Sequence, residues 1–108
     1  MKKGMIKLSV LYPNGEGKTF DMDYYRDKHI QLVGRLLGDH LKGVAVETGL
    51  AGLGEPDTPA PYIVCGHLYF DSMSDLQKSV SANLDQMVGD IPNFTNIQPV
   101  VQVAEVVM

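Results

Sequence analysis

The chain has 108 residues, 44% of them hydrophobic and 20% charged, which suits one globular domain and excludes a disordered chain. Its net charge of −4 disfavours nucleic acid and anionic membranes as partners, because both attract clustered positive charge. No apolar run is long enough to span a bilayer, the N-terminal segment lacks the apolar stretch of a signal peptide, and one cysteine cannot form an internal disulfide. We therefore expect a single cytoplasmic domain over residues 1–108, with no membrane or nucleic-acid partner.

The first strand and the first helix differ in their hydrophobic period. Side chains alternate over residues 5–12, which predicts a half-buried strand, and residues 13–17 have the composition of a turn. A helix follows, from a cap at Thr19 or Asp21 to about Leu37. Its apolar stripe recurs at steps of three and four residues and consists of Met22, Tyr25, His29, Leu32 and Leu36.

Two further strands and a second helix are predicted in the middle of the chain. Residues 43–50 and 62–70 have the pattern of strands, and the connection over residues 51–60 is rich in glycine and proline. The sequence Ser72-Met73-Ser74-Asp75 is typical of a helix start, and the apolar stripe of this helix continues towards Gly89.

The last strand is valine-rich, covers residues 99–107 and follows a loop over residues 91–96. The complete order is therefore β-α-β-β-α-β, which predicts an α+β, ferredoxin-like fold with a four-stranded antiparallel sheet. Because such crossovers are right-handed, both helices should cover the same face of the sheet.

The sheet face opposite the helices is left without a cover. Strand spacing and rise give this face roughly 350–450 Å², about the size of the largest apolar patches on monomers. Association through the open face is therefore favoured, and a symmetric homodimer is the commonest arrangement. The residues expected there are Leu11, Ala45, Ile63, Cys65, Tyr69 and part of the run over residues 100–107.

His29 is the histidine best placed for chemistry, because it lies on the apolar stripe one turn after Tyr25 and should point towards the sheet. Apolar surroundings disfavour the charged imidazole, and a neutral, partly buried ring can accept a proton from a substrate. The alternative is a structural histidine whose ring is hydrogen-bonded by Tyr25 or by a backbone carbonyl. His40 is expected in an exposed loop and is assigned no role.

His67 lies on the third strand in phase with Cys65 and Tyr69, on the side expected to be open. These three residues could line a cavity or a dimer interface. Cys65 and His67 are too few to hold a metal without further ligands at matched spacing, so we predict no metal. The alternative is a small buried thiol beside a polar residue in an interface.

The chain resembles the EthD family from about Met5 to Val106. The segments that carry the resemblance are Phe20-Asp21-Met22-Asp23-Tyr24-Tyr25-Arg26-Asp27-Lys28-His29, Gly66-His67-Leu68-Tyr69-Phe70-Asp71 and Asp90-Ile91-Pro92-Asn93-Phe94-Thr95. The most specific part is the opening of the first helix, in which two aromatic residues precede a histidine.

The resemblance implies a dimeric α/β barrel, in which two ferredoxin-like subunits pack their sheets face to face. It also implies a pocket beside the first helix, with His29 transferring a proton, Tyr25 orienting it and Phe94 forming part of the wall. Family members often carry a proline two residues after the motif histidine, where this chain has Gln31. Without that proline we expect a straighter helix and a different aim for the ring of His29.

These observations lead to the hypothesis of a cofactor-independent isomerase, lyase or dehydratase acting on a small apolar metabolite of a catabolic or polyketide-type pathway. The expected catalytic residues are His29 and Tyr25, with His67 or Tyr69 as donors to a developing oxyanion. The candidate substrate-binding residues are His67, Tyr69, Cys65, Phe94 and Gln31. Two alternatives remain open: a non-catalytic protein that holds a small ligand for an oxidative degradation pathway, and a monooxygenase of the haem or quinol type.

Overall fold

The strands and helices follow one another in the predicted order β-α-β-β-α-β. The computed structural model describes residues 2–55 and 57–108. Met1 and Pro56 lie outside the described residues, and Pro56 belongs to the predicted connection over residues 51–60. The elements are β1 (Ile6–Pro13), α1 (residues 22–37), β2 (Gly43–Thr48), β3 (Tyr62–Phe70), α2 (Met73–Gly89) and β4 (Val100–Glu105), with short 3₁₀ turns at Gly38–His40 and Ile91–Asn93. The four strands form an antiparallel sheet in the order β2-β3-β1-β4, which confirms the α+β, ferredoxin-like fold.

The strand register separates two faces of the sheet. On β1 the even-numbered residues from Ile6 to Tyr12 face the helices, and their partners on β3 are Phe70, Leu68, Gly66 and Val64. Phe70 is fully buried, and Leu37 of α1 is buried in the same cluster. Burying one such side chain stabilises the fold by about 1.5–3 kcal/mol, so this layer holds the helices on the sheet.

The helix α1 contains a π-helical turn. It consists of an α-helical turn at Met22–Tyr24, the π-helical turn at Tyr25–His29 and an α-helical segment at Ile30–Leu37. Asp21 caps its start, because a side-chain oxygen accepts a hydrogen bond of 3.1 Å from the backbone N–H of Tyr24. The N–H of Ile30 donates to the carbonyl of Tyr25, the five-residue step of a π turn. The helix ends at Gly38, whose φ of 57° suits glycine.

The π turn changes which side of α1 is buried. The buried residues lie four positions apart and are Tyr25, His29, Val33 and Leu37. The predicted stripe is therefore shifted by one residue after His29, and Leu32 and Leu36 are only half-buried. The reason is the additional residue in the π turn, which rotates the rest of the helix. Gln31 lies in the regular α-helical segment Ile30–Leu37, which follows the π turn, and its effect on the straightness of the helix stays a prediction.

The helix α2 begins at its predicted cap. The hydroxyl of Ser72 accepts a hydrogen bond of 3.1 Å from the backbone N–H of Asp75, and Leu76 and Met87 are buried against α1 and the sheet. Within the described residues, no helix combines the length and the apolar character needed to cross a membrane.

The open face of the sheet carries most of the residues predicted for it. The register places Leu11, Ala45, Cys65, Tyr69, Val100, Gln102 and Ala104 there, whereas Ile63 lies at a register shift and packs against the cluster of Tyr12 and Val64. At its centre Ser9 donates a hydrogen bond of 2.8 Å to Nδ1 of His67, whose Nε2–H donates to Glu47 at 3.1 Å. Both ring nitrogens of His67 are thus occupied within the chain.

Candidate active site

A cavity of about 630 Å³ lies between the helices and the sheet. Its inner wall includes Val10 from β1, Ile30 and Val33 from α1, Leu68 from β3 and Met87 from α2. Small-molecule sites commonly have volumes of about 300–1,000 Å³ and mainly apolar walls. The cavity is therefore large enough to hold a ligand within one subunit.

The mouth of the cavity is also apolar. Leu84 and Val88 of α2 and Val101 of β4 line it and are 49%, 52% and 56% exposed. No lysine, arginine, aspartate or glutamate is among the described residues that line the cavity. Because a charge is costly to move into such surroundings without a partner, the cavity suits an uncharged ligand.

The imidazole of His29 lines the cavity although the residue is only 6% exposed. Its Nδ1–H donates a hydrogen bond of 2.9 Å to Oδ2 of Asp90. A carboxylate can only accept this bond, so the proton of the neutral ring lies on Nδ1 and Nε2 keeps its lone pair. Among the described residues Nε2 has no hydrogen-bond partner, whereas every fully buried side-chain polar atom there has one. The free nitrogen of His29 therefore opens onto the cavity.

Asp90 is itself held in place by three donors. Besides His29, the hydroxyl of Tyr24 donates to Oδ1 at 2.7 Å and the amide of Asn93 donates at 2.9 Å. Burial raises the pKa of Asp90, but the hydrogen bonds from Asn93, Tyr24 and His29 outweigh that effect and hold the pKa below its ordinary value. Asp90 therefore remains a carboxylate near neutral pH and keeps the imidazole in one orientation.

Two tyrosine hydroxyls open onto the same cavity. Tyr12 of β1 and Tyr25 of α1 are 1% and 2% exposed, both line the cavity, and their rings meet edge to face with centroids 5.9 Å apart. Neither hydroxyl has a hydrogen-bond partner among residues 2–55 and 57–108, where every fully buried side-chain polar atom does have one. Since the protein does not enclose them, the hydroxyls are accessible from the cavity.

Both hydroxyls keep their protons at any physiological pH. Burial, with a smaller contribution from the nearby Cys65, raises the pKa of Tyr25 to about 12. Burial, followed by the neighbouring Tyr25, also raises the pKa of Tyr12 above its ordinary value. Tyr12 and Tyr25 are therefore available as neutral hydrogen-bond donors.

The lack of a side chain at Gly66 allows the hydroxyl of Tyr25 to lie directly against the sheet. A Cβ atom at this position would collide with that hydroxyl oxygen, so a larger residue would displace the ring from the cavity wall. Gly66 also interrupts a strand that is otherwise rich in large side chains, which is a sequence signal for close approach by another group.

Tyr12, Gly66 and Asp90 were not among the residues predicted from the sequence. Asp90 lies 61 positions after His29, and no spacing rule connects the two. The only indication of Asp90 was its place at the start of the segment Asp90–Thr95, which carries part of the family resemblance.

Three of the predicted binding residues lie on the opposite side of the sheet. His67, Tyr69 and Cys65 occupy odd-numbered positions of β3, which point away from the helices. A ligand beside His29 cannot reach them, because the sheet lies between. The assignment of His67 or Tyr69 as oxyanion donors in that site was therefore wrong. Gln31 is exposed on α1 and does not line the cavity.

Phe94 and Tyr25 are both in contact with His29. Phe94 is buried, and its ring centroid lies 4.6 Å from that of His29, yet it does not line the cavity and supports the imidazole from behind. Tyr25 stacks on His29 with centroids 5.5 Å apart and an angle of 22° between the rings. The hydrogen bond that orients His29 is the one that its Nδ1–H donates to Asp90.

In the part of the chain that the structure describes, no group of three or more histidine, cysteine, aspartate or glutamate side chains could hold a metal ion. Cys65 is a free thiol on the same open face as His67.

Comparison with known proteins identifies the family of this chain. The model of the EthD domain matches residues 14–98. The chain belongs to the EthD family. The matched segment includes Tyr25, His29, Gly66 and Asp90, whereas Tyr12 lies just before it.

Solved structures of EthD proteins have the same fold. An EthD-like protein from Ralstonia eutropha JMP134 is 36% identical, with a TM-score of 0.90 and an alignment that covers 99% of this chain and 96% of that one. An EthD family protein from Bacillus halodurans C-125 is 20% identical, with a TM-score of 0.67 and coverage of 94% and 97%. Among curated proteins, no match was found.

Proposed function

We propose that this EthD protein is a cofactor-independent proton-transfer enzyme, an isomerase, lyase or dehydratase, for a small and mostly apolar molecule with an acidic C–H bond. One observation carries the proposal: the unpartnered Nε2 of His29 opens onto a cavity of about 630 Å³ while Asp90 holds Nδ1. A structural histidine would have both nitrogens satisfied within the protein.

The geometry suits a general base. Nε2 of His29 takes the proton from the ligand carbon, and the carboxylate of Asp90 stabilises the imidazolium that forms. Tyr25 and Phe94 limit the rotation of the imidazole by packing against it. Return of the proton to another carbon gives an isomer, and loss of a leaving group gives the product of a lyase or a dehydratase.

The test follows the exchange of α-hydrogens of 2-tetralone, an uncharged and readily enolised ketone, in D₂O by proton NMR. The wild-type protein should accelerate exchange, and His29→Gln should lower the acceleration by about 10²–10⁴. His40→Gln is the matched control, since His40 is exposed and outside the cavity. Undiminished exchange by a folded His29→Gln protein would overturn the role of His29.

A non-catalytic ligand-binding function is the second candidate. It is favoured by the almost wholly apolar wall, in which His29 is the only histidine and no carboxylate is present among the described lining residues. Tight binding of a ligand that is recovered unchanged, with the same affinity in His29→Gln, would support this function over catalysis.

We also propose that a second copy of this chain covers the open sheet face. The polar side chains at its centre, Ser9, His67 and Glu47, are paired with one another, so a partner would leave none of these bonds unsatisfied. Sedimentation should give twice the chain mass for the wild type. Leu11→Lys, on the face, should give the single mass, and Leu53→Lys, which is fully exposed elsewhere, should not. A monomeric wild type at micromolar concentration would contradict the proposal.

A further inference from the structure

We propose that the hydroxyls of Tyr12 and Tyr25 form a two-donor site for a single uncharged carbonyl oxygen, so that the cavity selects ketone-type ligands over hydrocarbons of the same shape. The inference rests on the proposed function in one respect: it places the acceptor oxygen of the same molecule whose C–H bond faces His29.

These hydroxyls form no hydrogen bond within the described part of the chain. Both rings contribute to an aromatic cluster with Phe94, to which phenylalanine side chains would contribute equally. A hydroxyl in an apolar wall is a cost to stability when the protein offers it no bond in exchange for its contacts with bulk water. Two such groups on neighbouring rings of one cavity wall are therefore expected to find their acceptor in a ligand.

The other polar side chains around the cavity either have hydrogen-bond partners within the chain or are exposed. The hydroxyl of Thr95 donates to the carbonyl of Thr19 at 2.6 Å, and the amide of Asn96 donates to the carbonyl of Gly17 at 2.9 Å. Gln98 is exposed. The hydroxyls of Tyr12 and Tyr25 are thus the buried donors that remain for a ligand among the described lining residues.

Gly66 leaves the space on β3 that the hydroxyl of Tyr25 occupies. The strand keeps no side chain where the hydroxyl of Tyr25 rests, so this ring reaches the sheet and lies beside Tyr12. The two donors are consequently held by different elements, β1 and α1, on a rigid support. Fixed donors of this kind stabilise negative charge on an oxygen without any need for the protein to rearrange during the reaction.

In this proposal the side chains of the site carry out the proton transfer without a cofactor. When Nε2 of His29 removes the proton next to a ligand carbonyl, the C–H electron pair forms a carbon–carbon double bond, and the carbonyl π pair moves to the oxygen. Tyr12 and Tyr25 donate to this enolate oxygen, and both keep their own protons. The proton on His29 returns to carbon in the second half of the reaction, so that atoms and electrons balance.

The experiment compares matched ketone and hydrocarbon probes, 2-tetralone with tetralin and benzophenone with diphenylmethane, in NMR titrations of the full chain. The wild type should bind each ketone more tightly than its hydrocarbon. Tyr12→Phe and Tyr25→Phe should each lower ketone affinity by about three- to tenfold and leave hydrocarbon affinity unchanged, as expected for one neutral hydrogen bond. Tyr62→Phe is the matched control, because Tyr62 does not line the cavity. Both phenylalanine variants should remain folded, with melting temperatures at or above that of the wild type.

Equal affinity for ketone and hydrocarbon in the wild type, or binding of neither pair, would overturn the proposal, as would a ketone preference that survives both tyrosine substitutions. Failure of the proposed function has a different signature. In that case ketone selectivity depends on the tyrosines, but α-hydrogen exchange is absent or insensitive to His29→Gln.

Discussion

The imidazole of His29 donates a hydrogen bond of 2.9 Å to Asp90, which lies 61 positions further along the chain. His29 is the last residue of the π turn in α1, and Asp90 directly precedes the 3₁₀ turn that follows α2. Because the bond occupies only Nδ1, it leaves Nε2 free for the ligand. This relationship leaves a buried histidine with the free lone pair that a base requires.

Replacing Asp90 by asparagine should change the tautomer of His29. An amide can donate to Nδ1, which would move the ring proton to Nε2 and remove the lone pair from the cavity. We expect the exchange activity to fall by about 10²–10⁴, and ¹⁵N chemical shifts of the imidazole should report the altered tautomer. Asp39→Asn, at an exposed position, is the control and should leave both measurements unchanged. An unaltered tautomer with full activity would refute the orienting role.

Acid should remove the contribution of Asp90 to stability. Its pKa is lower in the folded protein than the ordinary 3.8, so the contribution is complete above that value and is lost as the pH falls through the folded-state value. The free energies of unfolding of the wild type and Asp90→Asn, measured with urea, should therefore differ most near pH 6 and converge as the pH falls below about 4. A difference that stays constant down to pH 2 would show that the charge of Asp90 contributes nothing.

Gly66→Ala should displace Tyr25, because the added methyl group would occupy the place of its hydroxyl. We expect a loss of about 1–3 kcal/mol in the free energy of unfolding, typical of an overpacked core site. The double variant Gly66→Ala/Tyr25→Phe should recover much of that loss, since phenylalanine lacks the colliding oxygen. Chemical denaturation of the four proteins gives the coupling energy, and strict additivity would contradict this contact.

Alkaline titration should reveal the buried tyrosines. The pKa of Tyr25 is about 12 in the folded chain against 10.0 ordinarily, so the unfolded chain ionises first. The contribution of Tyr25 is complete below pH 10 and is lost at about 1.4 kcal/mol per pH unit between pH 10 and 12. Across this range the free energy of unfolding should fall less steeply with pH for Tyr25→Phe than for the wild type. In the same variant, absorbance at about 295 nm should show one fewer phenol that titrates at high pH. Equal slopes would mean that Tyr25 is not buried as described.

Local patterns were sufficient to predict the elements. Alternation over β1, the side-chain caps at Asp21 and Ser72 and the glycine at position 38 each act over a few residues, and the observed boundaries agree closely with them. The topology followed from the order of elements and the handedness of crossovers. The same period-two pattern also predicted correctly that Cys65, His67 and Tyr69 share the face away from the helices.

The arrangement of the site was less predictable. A regular helical period extended to Leu32 and Leu36 missed the π turn, whose single additional residue depends on how the helix packs and has no local pattern of its own. Gly66 meets the hydroxyl of Tyr25 only because α1 packs on β3, and Asp90 reaches His29 only after α2 has folded onto the sheet.

The sequence by itself determined the strands, the helices, their order and the candidate base His29, because these depend on interactions between near neighbours in the chain. Only the tertiary structure decided that Asp90 orients this base, that the cavity lies on the helical side of the sheet and that Tyr12 and Tyr25 open onto it. The physical reason is that a hydrogen bond or a cavity wall requires proximity in space, and packing of the whole chain sets that proximity.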